Sequence, residues 1–133
     1  MVLLTPKMST KLLSSLRKLL SVYDGASRAY KIFQTPPSII KKPGESVVSE
    51  IYCSHNVSIF ERILWYKQNK RGALKYLGYL NRNFPYPEDD IKEKISFGGD
   101  GSKYSSLNVS TVSENDSAVY FCAASRHSTT ESH

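Results

Sequence analysis

Cys53, Cys122, His55, His127 and His133 are the cysteines and histidines with which this chain could ligate a soft metal or perform nucleophilic chemistry, and their spacing favours neither. The cysteines stand 69 positions apart. They lack the short paired spacing of a zinc ribbon and the Cys-x-x-Cys of a thioredoxin-like redox site. The histidines are scattered, and two of them fall in a stretch with no structural pattern. The sequence contains no Gly-x-Ser-x-Gly and no His-Glu-x-x-His. Its Gly98-Gly99-Asp100-Gly101 run sits between strand patterns rather than opening a phosphate-binding helix. An enzyme, a metal site and a bound cofactor are therefore not expected.

The net charge of +6 invites an acidic partner until it is divided along the chain. Lys7, Lys11, Arg17 and Lys18 stand against Asp24 in residues 1–24, which accounts for half of the excess. Lys41-Lys42 and Lys70-Arg71 flank turn-like glycines, where solvated charge is usual. Nucleic acid is not an expected partner, despite nine tyrosines that could stack on bases. With 133 residues the chain can bury one core and carry extensions. No stretch approaches the roughly 20 apolar residues of a membrane span.

The elements that must position any site read as short strands. Ile32-Phe33-Gln34 and Ser38-Ile39-Ile40 form an edge strand broken by Pro36-Pro37, which lack the ladder donor. Val47, Ser49, Ile51 and Cys53 alternate with Val48, Glu50 and Tyr52, so the period of two turns Cys53 inward. In Ile63-Leu64-Trp65-Tyr66-Lys67-Gln68 the same period puts Ile63 and Trp65 inside and Leu64, Tyr66 and Gln68 on the opposite face. The next strand spans Leu74 to Leu80, and Pro85 and Pro87 are expected to end further pairing. Ile95 and Phe97 precede a hairpin turn at Gly98–Gly101. Leu107, Val109, Val112, Ala118, Tyr120 and Cys122 then point inward, with Val119 and Phe121 outward. Such a series describes an all-β sandwich.

Residues 1–29 are set apart as an N-terminal extension. Leu12, Leu13, Leu16, Leu19, Leu20 and Val22 recur at helical spacing among Lys11, Arg17 and Lys18, an amphipathic helix pattern. A secretory signal needs an unbroken apolar run of about 7 to 15 residues, and none is present. A transit peptide, a membrane-surface helix and translated sequence that replaced the true leader all fit, and the last is the reading adopted. Residues 30–125 form the domain and residues 126–133 a tail without structure.

Leu64-Trp65-Tyr66-Lys67-Gln68 and Asn115-Asp116-Ser117-Ala118-Val119-Tyr120-Phe121-Cys122-Ala123-Ala124-Ser125 resemble the variable segments of antigen receptors. Leu74–Tyr79, Gly99–Ser102 and Ser105–Leu107 are most similar to a T-cell receptor beta variable segment. An innate variable-type receptor, a co-receptor or an adhesion molecule of the immunoglobulin superfamily is the alternative. The resemblance implies an immunoglobulin-like V-set sandwich in which Cys53 and Cys122 bridge the sheets, Trp65 packs on the bridge and Tyr120 pins a corner. Closing so long a loop stabilises a fold by roughly 4 kcal/mol in the chain-entropy model, and the bond persists only in an oxidising compartment. Lys94 is placed to meet Asp116. Arg126–His133 holds no Phe-Gly-x-Gly and no strand pattern, so strand G is expected to be missing and the edge of the preceding strand uncovered.

Function follows from the same resemblance. A T-cell receptor complex would sit at the plasma membrane, facing outward, and recognise a peptide presented by an MHC molecule, with signalling subunits joined through the complete receptor. Tyr66, Gln68, Leu74 and Phe121 would form the face that pairs with an alpha-type partner variable domain. His55, Asn56, Ser58, Phe60, Asn81, Arg82, Asn83, Ser125 and Arg126 would supply the antigen-contact loops. Asn56, Asn108 and Asn115 each open a glycan acceptor pattern.

Overall fold

The computed structural model describes residues 2–4 and 32–126. The helix expected over residues 9–23 and the tail from 127 onward lie outside them. Among the described residues ten strands form two sheets. The six-stranded sheet runs β3 (Ser38–Ile40), β1 (Val2–Leu4), β10 (Val119–Arg126), β5 (Phe60–Gln68), β6 (Leu74–Asn81), β7 (Phe84–Pro87). The four-stranded sheet runs β2 (Ile32–Thr35), β4 (Val47–His55), β9 (Tyr104–Val109), β8 (Ile95–Asp100).

The core lies between the sheets, where the period-two residues converge. Val47, Ile51, Cys53, Ile63, Trp65, Leu77, Leu80, Leu107, Val109 and Tyr120 are fully buried, and Ile95, Phe97, Val112, Ala118 and Cys122 nearly so. Cys53 and Cys122 form a disulfide from β4 to β10, joining the two sheets. Trp65 is buried beside it in the same cluster, and its indole N–H donates to Ser105 Oγ at 2.9 Å. A buried indole donor left without a partner would cost about 1–3 kcal/mol, so Ser105 is what makes this tryptophan tolerable in the core.

The lower end of the sandwich is closed by a 3-10 turn at Glu114–Asp116. The Asp116 carboxylate accepts from Ser113 N at 2.8 Å, and Lys94 Nζ lies 2.8 Å from it. Lys94 Nζ also donates to Thr111 O at 2.6 Å. The Tyr120 hydroxyl donates to Asp116 O at 2.8 Å. Burial pushes the Tyr120 phenol pKa far above its ordinary value, and the Asp116 carboxylate adds to the shift.

Four local expectations are corrected. Ser49 does not point inward: it has a φ of 56° at a register break between Val47 and Ile51, and it is exposed. Its N–H donates to Asn108 Oδ1 at 2.7 Å, which supplies the acceptor that the broken ladder does not. Pro85 and Pro87 do not end the pairing either. They lie in β7, which pairs with β6 from Asn81↔Phe84 to Gly78↔Pro87. An edge strand tolerates proline because one side of it needs no ladder donors. The backbones of β6 and β7 also approach closely at Gly78, whose φ is +126° and where a Cβ would collide with Tyr86 O and the Pro87 Cα.

Gly98, Gly99 and Asp100 are strand rather than turn, since β8 pairs with β9 as far as Asp100↔Tyr104. The reversal comes just after, where Lys103 N donates to Asp100 O at 2.7 Å and Ser102 bonds the Asp100 carboxylate through both N–H and hydroxyl. The fourth correction concerns the start of the chain. Val2–Leu4, assigned above to an extension, pairs antiparallel with β3 and meets β10 in parallel register at Leu4↔Val119.

Candidate recognition surface

Two regions of the six-stranded sheet carry the residues singled out for recognition. The first is its outer face. The pairings Phe121↔Tyr66 and Tyr66↔Tyr76 line up three aromatics across β10, β5 and β6. Tyr66 and Phe121 stack with centroids 5.5 Å apart, and Tyr66 and Tyr76 stand 5.3 Å apart. Leu74 is 46% exposed at the lower edge of this face and pairs with Gln68, whose amide Nε2 donates to Gly72 O at 3.1 Å. Phe121 is only 1% exposed: with Ala123 it forms a second small cluster that Tyr66 and Val119 pack against. The outward period was therefore read correctly, but Phe121 supports the face from below rather than presenting itself.

The second region is the upper end of the sheet, where the register brings two turns and the end of β10 together. Phe60 pairs with Arg126, and Arg62 lies between Ser125 on β10 and Asn81 on β6. Asn56 and Ser58 are exposed in the β4–β5 turn, Arg82 and Asn83 in the β6–β7 turn, and Arg126 at the end of β10. Asn81 is half-buried. Arg82 adopts a φ of 52° and is braced by Glu61: its guanidinium Nη2 donates to Glu61 Oε2 at 2.6 Å and its N–H to Glu61 O at 2.9 Å. That hydrogen bond holds the Arg82 pKa above its ordinary value. Arg62 lies over the Tyr79 ring at 4.7 Å, and Tyr79 stacks on Tyr86 at 4.9 Å.

His55, Phe60 and Ser125 are corrected from contact residues to supports. All three are buried. His55 Nδ1 accepts from Val57 N–H at 3.1 Å, and Nε2 bonds Gly101 O at 2.9 Å. The first bond makes Nδ1 the acceptor, so Nε2 carries the proton and both ring nitrogens are occupied. Phe60 packs edge-on against the same ring at 5.6 Å. His55 thus ties the β4–β5 turn to the β8–β9 turn. Phe84, which sequence reasoning placed in the second loop, is 61% exposed at this end. Sequence reasoning did not single out Glu61 or Ile59; Ile59 is 46% exposed, and an exposed apolar residue beside a turn was the available signal.

The three acceptor patterns differ in their surroundings. Asn56 is exposed in its turn and Asn115 is exposed in the 3-10 turn. Asn108 is engaged on both amide atoms, accepting from Ser49 N and donating from Nδ2 to Ser96 Oγ at 3.2 Å. Among the described residues no group of three or more His, Cys, Asp or Glu could hold a metal ion.

The geometry of a disulfide across two sheets, a buried tryptophan and a tyrosine bound to the aspartate four residues before it agrees with a family model of the immunoglobulin V-set domain, which matches residues 34–133. The chain belongs to the immunoglobulin V-set family. This V-set domain is 32% identical over 97 residues to human T cell receptor alpha variable 36/delta variable 7, covering 70% of this chain and 78% of the relative. It is 33% identical over 100 residues to human T cell receptor beta variable 5-1, covering 71% and 80%. A mouse T-cell receptor beta chain V region, CTL-F3, is 28% identical over 95 residues, covering 71% and 69%. Among solved structures, a chain from "Structural basis of T cell specificity and activation by the bacterial superantigen toxic shock syndrome toxin-1" aligns with a TM-score of 0.68. It covers 78% of this chain and 88% of that one at 24% identity, which establishes the shared fold.

The V-set domain is therefore of T-cell receptor type, a receptor domain and not an enzyme. Domains of this kind are parts of cell-surface receptors. Among the described residues no helix is long and apolar enough to cross a membrane.

Proposed function

We propose that this V-set domain is the variable region of an antigen receptor, pairing with an alpha-type variable domain and recognising a peptide held by an MHC molecule. The observation that carries the reading is the aromatic line Phe121, Tyr66 and Tyr76 across the outer face of β10, β5 and β6, continued by exposed Leu74. Apolar side chains gathered on a flat sheet face favour burial against a partner. The upper turns add the second half: Asn56, Ser58, Arg82 and Asn83 are exposed, and the Glu61 bond and the His55 clamp hold their backbones in place. Exposed polar groups on a braced frame suit adaptable hydrogen bonding at low entropic cost. Signalling would belong to the assembled receptor at the plasma membrane.

Display of the chain with an alpha-type partner on a cell lacking its own receptor tests this. Leu74→Asp should abolish surface assembly, and Arg82→Ala should leave assembly intact while weakening staining by peptide–MHC multimers. Normal assembly of Leu74→Asp counts against the pairing face, and unchanged staining of Arg82→Ala counts against the turn as a contact.

A further inference from the structure

The end of the sandwich opposite the recognition turns carries a groove of about 750 Å³ between the β5–β6 turn and the 3-10 turn. Lys67, Lys70, Arg71 and Lys75 line it, with Glu114 as the acid among the lining residues. Two features of this cluster work against the stability of the domain. Lys67 and Lys75 are register partners across β5 and β6, and like charges directly opposite each other destabilise a strand pair. Lys67 is also half-buried, and a desolvated ammonium is costly. Burial lowers its pKa, Lys75 and Lys94 lower it further, and Asp116 opposes them. Lys67 offsets part of that cost by contact with the Tyr120 ring at 6.0 Å, so it is the gathering of four cations along one groove, not the strain of any one of them, that points to an anionic ligand.

The cations are also held in place. Asn69 Oδ1 accepts from Arg71 N at 2.9 Å and from Ala73 N at 3.0 Å, and Gly72 N donates to Asn69 O at 2.9 Å. Lys70 and Arg71 therefore ride on a turn stiffened by its own asparagine. Lys67 Nζ donates to Asn115 O at 3.0 Å, and Lys75 is paired with Asp90 at 2.6 Å. Lys70 and Arg71 form no ion pair with the described residues.

We propose that this groove binds a sulfated polysaccharide chain through Lys67, Lys70, Arg71 and Lys75. The apolar lining is limited to Ala73 and Leu74, which offers an acidic peptide little to anchor on, whereas the exposed Asn115 side chain suits a hydroxyl-rich chain. A disulfide-bonded receptor domain works in an oxidising, extracellular setting, where sulfate esters on polysaccharides supply dense negative charge. The groove lies at the other end of β5 from the recognition turns and shares Leu74 alone with the proposed pairing face, so its cations stand outside both.

The test is calorimetric titration of the full chain with a size-defined heparin oligosaccharide over a range of salt. The double reversal K70E/R71E should weaken binding at least about tenfold and lower the slope of log affinity against log salt by about two. The same change of charge placed elsewhere, K42E/K103E, should alter affinity less than about threefold, against the general pull of net charge. All four positions are exposed, so the fold should persist, with unchanged Trp65 fluorescence as its check. Equal losses in the two variants, no binding by the parent chain, or equally tight binding of a polyglutamate of matched charge would each overturn the proposal.

Discussion

Gln34 lends its side chain to the backbone of Cys122: its Oε1 accepts from the Cys122 N–H at 3.1 Å, while its Nε2 donates to Tyr120 O at 2.6 Å. The amide thus acts as one rung of a strand beside β10, reaching across from β2 in the other sheet. Among the described residues β10 meets β1 only at Leu4↔Val119, so this rung covers part of an edge that would otherwise be bare.

Gln34→Leu keeps the bulk and removes both bonds, leaving Tyr120 O and Cys122 N without partners. A loss of about 2–4 kcal/mol is expected from two such groups. Urea unfolding followed by Trp65 fluorescence should show a lower midpoint with an unchanged slope. A midpoint within error of the parent would mean that solvent replaces the amide freely.

Tyr120 gives a pH prediction. Burial raises the folded-state pKa of its phenol, so the folded chain holds this proton more tightly than the unfolded chain does. The associated stability is fully present below the unfolded phenol value of about 10 and is lost as pH rises through the folded value. Tyr120→Phe should cost about 1 kcal/mol at neutral pH through the lost bond to Asp116 O. Above pH about 10 its stability should fall less steeply than that of the parent. Parallel alkaline stability curves for the two would contradict this.

His55 separates support from contact. Replacing it by alanine strips the partners from Val57 N and Gly101 O, so Tm should fall by about 5 °C or more. A residue whose role were direct contact would weaken ligand binding and leave melting unchanged.

Asn56 and Asn108 share the acceptor pattern but not the environment. Mass spectrometry of the chain secreted from animal cells should find a glycan on exposed Asn56 and none on Asn108, whose amide bonds Ser49 and Ser96. Occupied Asn108 would show that those two bonds are dispensable.

Much of the frame was legible because it depends on a period of two: Ile51 and Cys53, Ile63 and Trp65, Ile95 and Phe97 all went inward as their alternation requires. Errors arose where the backbone departs from that period or where proline is read without its neighbours. Ser49 sits at a register break that an alternation count cannot detect, and β7 survives two prolines because it is an edge. The turns expected to make contacts gather at one end of the sandwich, yet His55 and Phe60 look like contact residues in one dimension and become buried supports in three. Gln34 was read only as a residue of the edge strand and its role was missed, since its partner Cys122 is 88 residues away and glutamine has no periodic signature.

Hydrogen exchange of the chain with and without an alpha-type variable domain tests the pairing claim most directly. The account predicts slowed exchange in peptides spanning Leu64–Gln68, Leu74–Leu80 and Val119–Ala124 on β5, β6 and β10, with β2, β4, β8 and β9 unchanged. Protection confined to the four-stranded sheet, or none at saturating partner, would contradict it.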